Sequence, residues 1–289
     1  MHIPNILSIA GTDPTAGAGI QADSKTISAL GAYALTVITA VIAQNTQRVA
    51  SMVVMDSRCV IEQIDAVFSD VQVDAVKIGL VADAKIADAI AQRLSHFLPR
   101  YVVFDPVMRS SSGRGFIDAK AIDVMRERIL PLCTVLTPNI CEAAQLLGTT
   151  EARCVSEMQD QAQRLVALGP EHVLLKGGHI ADPVHSTDVL GLRGHPQMYC
   201  YQSLRLETKN THGTGCTLSS AIAALLPRYP VPTCVVLAKA FVYHSLQAAS
   251  GWRISKGAGP LHHFYRLWDR PEGEMIDISP ISMVTLDKS

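Results

Sequence analysis

Ile6-Leu-Ser-Ile-Ala-Gly-Thr-Asp-Pro-Thr-Ala-Gly-Ala-Gly-Ile20 decides how this chain folds. The first five residues read as a buried strand. Three glycines within 11–19 then make a tight turn, and 20–30 places apolar residues at helical spacing with Gly31 in the position of a C-terminal cap. Strand, glycine turn and helix in that order predict a crossover unit. The turn itself is not a known phosphate fingerprint. Ala22 stands where a dinucleotide motif needs its third glycine, and no Gly-Lys-Ser/Thr is present. On these residues alone it is a strand-to-helix turn that sets Asp13 and Asp23 near the strand end. A carboxylate there serves either a ligand amino group or the helix dipole.

The pattern repeats outward from this unit. Strands are predicted at 34–43 and 49–55, joined by a polar turn at 44–46, and a helix capped by Asp56 or Ser57 runs to about 68. A strand at 74–80, a helix at 84–97, a strand at 101–104 and a helix at 118–130 follow. Then come a strand at 134–137, a short helix from 140, and a helix to 168 opened by the capping-box spacing of Ser156-Glu-Met-Gln159. A strand at 172–176 precedes an antiparallel excursion at 186–207 and helices at 214–226 and 233–249. Short strands alternating with helices imply a mainly parallel sheet covered on both faces. No linker or composition break divides the chain, so 1–268 reads as one α/β domain, with 269–289 a C-terminal extension to which no role attaches.

Composition narrows the function classes. Of 289 residues 48% are hydrophobic and only 5% aromatic, so Ala, Val, Ile and Leu carry a large core. With 25 Lys+Arg against 26 Asp+Glu the net charge is −1, which leaves no bulk basicity for nucleic acid or an anionic membrane. No apolar run is long enough to span a bilayer, and Met1-His-Ile-Pro-Asn5 does not open a signal peptide. Seven scattered cysteines without a C-x-x-C pair suggest neither zinc nor a disulfide framework. The expectation is a soluble protein of a reducing compartment.

In doubly covered parallel sheets ligands bind outside the carboxyl ends of the strands. Four candidate loci lie there. Thr211-His-Gly-Thr-Gly-Cys216 opens a helix, and Gly213, Thr214 and Gly215 would offer main-chain N–H groups to an anion. Cys216 in the first turn is expected to have a lowered thiol pKa through the helix dipole, or else to be a packing residue. Asp105 ends one strand, Asn139 and Glu142 follow the next, and Lys176 ends a third before Gly177-Gly178. Singly these are a turn former, a helix cap, a first-turn acid and a snorkelling lysine. Together, two acids, an amide and a lysine facing a main-chain anion hole suit a magnesium–nucleotide and a transferring phosphoryl group.

Seven segments in register sharpen this: 10–23, Val41-Ile-Ala-Gln-Asn-Thr46, Lys77-Ile-Gly79, Asp105-Pro-Val-Met108, Thr137-Pro-Asn139, Lys176-Gly-Gly-His179 and Thr211-His-Gly-Thr-Gly-Cys216. From about residue 6 to 264 the chain closely resembles the hydroxymethylpyrimidine/phosphomethylpyrimidine kinases of thiamin biosynthesis, in the ribokinase superfamily. The resemblance implies a single ribokinase-like domain, a cytoplasmic homodimer, and Mg2+-dependent transfer from ATP to a pyrimidine hydroxymethyl group and then to its monophosphate. It implies that Gln44 and Asp23 read the aminopyrimidine and that Gly11, Leu80 and Met108 line its pocket. Gly213, Thr214 and Gly215 would stabilise phosphoryl charge. Cys216 would take the hydroxymethyl proton or position that oxygen. Lys176 would hold the nucleotide phosphates with Asn139 beside them, and Asp105 and Glu142 would organise magnesium.

Several positions depart from the family's usual pattern. Ala16 stands for a frequent glycine, Leu80 for methionine and Cys141 for proline. The segment 109–116 carries Arg109 and Arg114 and is expected to be a flap over the site. Three other readings compete. One is a pyridoxal kinase, and another is a hydrolase with Cys216 as nucleophile and His212 as its base. The third is a non-catalytic binding protein, which the complete set of catalytic positions disfavours.

Overall fold

Strand β1 (Asn5–Ala10) is buried along almost its whole length, as a central strand covered on both faces must be. The chain is described here by a computed structural model covering residues 2–108, 115, 117–178 and 180–268. After the glycine turn, α1 (Gly19–Ala29) returns over the sheet, and Gly31 takes φ +72° to release the chain into β2 (Tyr33–Ile38), parallel to β1. The crossover unit read from the opening stretch is therefore present.

The predicted strand at 34–43 is in fact two. Thr39 breaks it, donating its hydroxyl to the Leu80 carbonyl at 2.6 Å and its amide to Ala10 O at 3.0 Å. Beyond it β3 (Ala40–Gln44) leaves the main sheet and pairs antiparallel with β4 (Val49–Val54) in a separate two-stranded ribbon. The physical reason is that a buried side chain pinned on both sides redirects the backbone, which hydropathy does not register.

Next follow α2 (Ser57–Phe68), β5 (Ala75–Ile78), α3 (Ala84–Phe97) and β6 (Val102–Phe104). The helix expected at 118–130 is regular only as α4 (Ala119–Val124), after which the backbone widens over Met125–Ile129 and tightens over Leu130–Leu132 around Pro131. Proline lacks the N–H that would continue the ladder. Strand β7 (Val135–Leu136), α5 (Ile140–Leu147) and α6 (Val155–Val166) come next. Cys154, not Ser156, is the N-cap residue of α6, and the Glu157 carboxylate accepts from the Arg153 amide at 2.8 Å. The capping box expected at Ser156 does not form. Strand β8 (His172–Lys176) precedes the hairpin β9 (His185–Leu192) and β10 (His195–Leu204), then α7 (Thr214–Leu225), α8 (Val231–Ala248) and the single turn α9 (Tyr265–Trp268).

The main sheet has the order β10-β9-β8-β7-β6-β5-β1-β2. Six strands are parallel, and the excursion at 186–207 adds β9 and β10 antiparallel at one edge. Alternate residues feed two cores. Leu7, Ile9, Val102 and Phe104 pack toward α2, α3, α5 and α6, whereas Ile6 and Val103 pack toward α1, α7 and α8. At about 25 cal/mol per Å2 of apolar surface, these two layers dominate the stability of the domain. Among the described residues no helix is long and apolar enough to cross a membrane. The flap expected at Arg109 and Arg114, like the extension from 269, lies outside the described residues.

Candidate active site

The parallel strands all end on one side, and α7 begins there. Between them opens a cavity of about 770 Å3. Asp105 follows β6 directly, Asn139 caps α5 just after β7, and Lys176 closes β8. Lys176 Nζ lies 2.8 Å from Asp105 Oδ1 and 4.0 Å from Glu142 Oε2. Burial works against its charge, but the carboxylates of Asp105 and Glu142 outweigh that and push the lysine above its ordinary range. Glu142 is pushed up to about 7. Burial is the main cause and the charge of Asp105 adds to it, against the pull of Lys176 and the amides of Asn139 and Met108.

Asn139 and Glu142 do two things at once. The Asn139 side chain accepts the Glu142 amide at 2.9 Å, and Glu142 accepts the Asn139 amide at 2.8 Å, a complete capping box. Both also line the cavity. The cap fixes the backbone at the site's floor and leaves the second Glu142 oxygen outside the reciprocal pair.

The turn expected to bind an anion lines the same cavity as this group. Gly213 has φ +88°, a conformation that favours glycine, and a Cβ there would collide with the Gly17 carbonyl. A Cβ at Gly215 would stand 3.3 Å from Lys176 Nζ and 3.5 Å from Asp105 Oδ2, so the backbone of the helix start passes close to the charged cluster. Thr214 and Gly215 line the cavity with Cys216. The first turn of a helix leaves N–H groups without intrahelical partners, which is what an anion requires.

Cys216 differs from its sequence-based expectation. Burial, opposed by the positive charge of Lys77 and reinforced by Asp23 and Asp105, pushes the thiol up to about 11. Desolvation and two carboxylates outweigh the helix dipole, so at neutral pH this is a thiol and not a thiolate.

Gln44, Gly11, Leu80 and Met108 line the same cavity with Ile42. A Cβ on Gly11 would press against Leu80 Cδ2 at 3.0 Å and Ile42 Cδ1 at 3.2 Å, so that wall is already close-packed. Asp23 is placed differently from its expected contact with a pyrimidine. It is absent from the cavity wall and fully buried, and its oxygens accept Ser8 Oγ at 2.6 Å, Ser220 Oγ at 2.7 Å and Lys77 Nζ at 2.8 Å. Its oxygens are satisfied by donors inside the protein, which is the physical reason it stays off the cavity wall.

Three side chains at the site, Lys77, Asp188 and Lys239, had no role assigned from sequence. Lys77 is fully buried yet borders the cavity, and burial is overcome by the carboxylates of Asp23 and Asp105 to keep it charged. A lysine inside the apolar run Ala75–Ile78 was the available signal. Asp188 accepts the Gly177 amide at 3.0 Å and Lys239 Nζ at 2.6 Å, which steadies the turn after Lys176. Nothing local in the sequence announces that pair. His212, the base in the hydrolase alternative, meets Asp13 Oδ2 through Nε2 at 2.7 Å.

Asp105 and Glu142 offer oxygen donors of the type magnesium takes, one or two carboxylates being completed by water and substrate phosphates. Among the described residues there is no cluster of three or more His, Cys, Asp or Glu that could hold a metal. The donor set therefore fits a magnesium brought with a nucleotide, and a closed structural metal site is not built here.

Comparison with known proteins identifies the family. A family model described as phosphomethylpyrimidine kinase matches residues 13–262. A hydroxymethylpyrimidine/phosphomethylpyrimidine kinase of Salmonella typhimurium is 48% identical over 265 residues, covering 91% of this chain and 98% of the relative. The crystal structure of a phosphomethylpyrimidine kinase from Clostridium difficile is 37% identical with a TM-score of 0.73, covering 83% of this chain and 98% of its own. An ADP complex of pyridoxal kinase from Bacillus subtilis is 29% identical with a TM-score of 0.85, covering 93% and 100%. Sheet order, strand-end charges and sequence thus lead to one statement: the chain belongs to the phosphomethylpyrimidine kinase family.

Proposed function

We propose that this chain transfers the γ-phosphoryl group of ATP to the hydroxymethyl oxygen of 4-amino-5-hydroxymethyl-2-methylpyrimidine, and then phosphorylates the monophosphate to the diphosphate. This is kinase chemistry in thiamin biosynthesis. The observation that carries the reading is one cavity lined both by the Lys176–Asp105–Glu142 group with the Gly213–Cys216 turn and by Gln44, Leu80 and Met108.

Phosphoryl transfer asks for alignment and charge stabilisation more than for covalent chemistry. Lys176 holds nucleotide phosphates with Asn139 beside them, and the N–H groups of Gly213, Thr214 and Gly215 stabilise the equatorial oxygens. Asp105 and Glu142 hold magnesium, which supplies neutralisation of phosphate charge. Gln44 reads the aminopyrimidine edge over the wall of Gly11, Leu80 and Met108. Asp23 acts one layer back, by keeping Lys77 charged beside the site. A thiol of about 11 is a poor resident base, so Cys216 serves to position the attacking hydroxyl. The same reading makes the enzyme a cytoplasmic homodimer, which sedimentation of the full chain checks.

ADP release with Mg-ATP tests the proposal against hydroxymethylpyrimidine, its monophosphate and pyridoxal side by side. Turnover of both pyrimidines is the expected result. The pyridoxal kinase alternative has one observation in its favour, the TM-score of 0.85 to the Bacillus subtilis enzyme. A kcat/KM for pyridoxal well above that for both pyrimidines would replace the present reading.

A further inference from the structure

Asp13 and His212 are distant in sequence and meet where the two glycine turns touch. His212 Nε2 lies 2.7 Å from Asp13 Oδ2, and since an ionised carboxylate only accepts, the imidazole donates. The same oxygen accepts the amides of Gly17 at 3.1 Å and Ala18 at 2.8 Å. The other accepts the Thr15 amide at 3.0 Å and its hydroxyl at 2.8 Å. Both residues are buried. Burial alone would raise the Asp13 carboxyl, but the bonds from His212 and Thr15, the His212 charge and the Ala18 amide hold it well below the usual carboxylate range.

The turns also interlock through their backbones. A Cβ on Gly17 would come within 2.5 Å of His212 Cδ2, and one on Gly213 would strike the Gly17 carbonyl. From the other side the His212 amide donates to Gly259 O at 3.0 Å, and His212 bridges Pro260. The residue that follows His212 is Gly213, where the anion-binding turn begins, and the residue that follows Ala18 is Gly19, which lines the same cavity as Cys216.

We infer that the Asp13–His212 pair is a positioning element for phosphoryl transfer, setting the angle at which the Gly213–Cys216 turn presents its N–H groups and thiol to the reacting oxygens. The inference rests on the kinase reading above. It concerns alignment and not affinity, because nucleotide and pyrimidine are held chiefly by Lys176 and Gln44.

His212→Leu removes the clasp and leaves Asp13 four other donors, so the variant is expected to fold. His212→Gln keeps a donor at similar reach. Wild type and both variants are compared in steady-state turnover, in affinity for Mg-ADP with and without aluminium fluoride, and in amide exchange across 213–217. Expected for His212→Leu is a kcat lowered by about 10- to 100-fold, the range misplacement costs, with each KM within about threefold. Its aluminium fluoride complex weakens in parallel while ADP affinity holds, and His212→Gln keeps kcat within about threefold of wild type.

Unchanged kcat in His212→Leu, equal losses in the two variants, or a loss carried by KM would each overturn the inference. So would a His212→Leu protein that fails to fold beside a normal His212→Gln, since the pair would then be structural only. If wild type turns over no pyrimidine alcohol, the kinase reading fails by itself and exchange decides the pair. Amides at 213–217 opening about tenfold faster in His212→Leu than in His212→Gln support it, and equal rates overturn it.

Discussion

At Cys216 two rules of side-chain chemistry oppose each other. A helix N-terminus favours a thiolate, and burial beside carboxylates disfavours it. Burial wins, and the thiol is pushed up to about 11 despite Lys77. Position in sequence revealed the helix start but not the depth of the site or the presence of Asp23 and Asp105. The consequence is measurable by peptide-resolved alkylation with iodoacetamide. At pH 7.5 Cys216 is expected to react roughly two orders of magnitude more slowly than the thiol of an unstructured cysteine peptide, whose thiolate fraction is far larger. Its rate should keep rising about tenfold per pH unit where the peptide thiol has levelled off. Equal labelling of the two at pH 7.5 would refute this account.

At the scale of elements, most helices and strands were legible because period and caps agree locally. The α2 boundary at Asp56 and the α3 span Ala84–Phe97 follow from such signals, with Asp56 and Asp83 accepting backbone amides at the helix starts. Failures occurred where a distant contact decides, as at Thr39, or where a proline distorts a helix end, as at Pro131. The start of α7 is also tied to a distant segment. His263 Nε2 lies 3.0 Å from Thr217 Oγ1, and burial, with the charges of Lys25 and His262, lowers the imidazole to about 4. This histidine binds its proton more tightly when unfolded, so folding stability rises with pH between about 4 and about 6.5 and is complete above that window. Acidification through the window should therefore cost on the order of 3 kcal/mol, and His263→Gln should flatten that part of the curve. Chemical denaturation at a series of pH values reads the slope. A wild-type slope retained in the variant would assign it elsewhere.

The whole molecule converges on a charge that no single element explains. Lys77 from β5 and Asp23 from α1 form a pair with neither side chain exposed, and Ser8 of β1 and Ser220 of α7 complete it. Removing one partner leaves an uncompensated buried charge. Lys77→Met is expected to lower unfolding free energy by about 3–5 kcal/mol, and adding Asp23→Asn should return part of that loss. Urea unfolding of the single and double variants decides it, and a double variant no more stable than Lys77→Met would contradict the pairing. The sequence by itself determined the α/β class, the strand ends where chemistry lies, and the glycine turns, because these depend on local period and on which residues tolerate a turn. It also placed Lys176, Asp105, Glu142 and Cys216 at one sheet edge by topology alone. Only the tertiary structure decided that Asp23 faces Lys77 instead of the cavity, that Cys216 stays a thiol, and that His212 bonds Asp13. Those outcomes depend on desolvation and on partners up to 199 positions away in the chain, and neither quantity is carried by local sequence pattern.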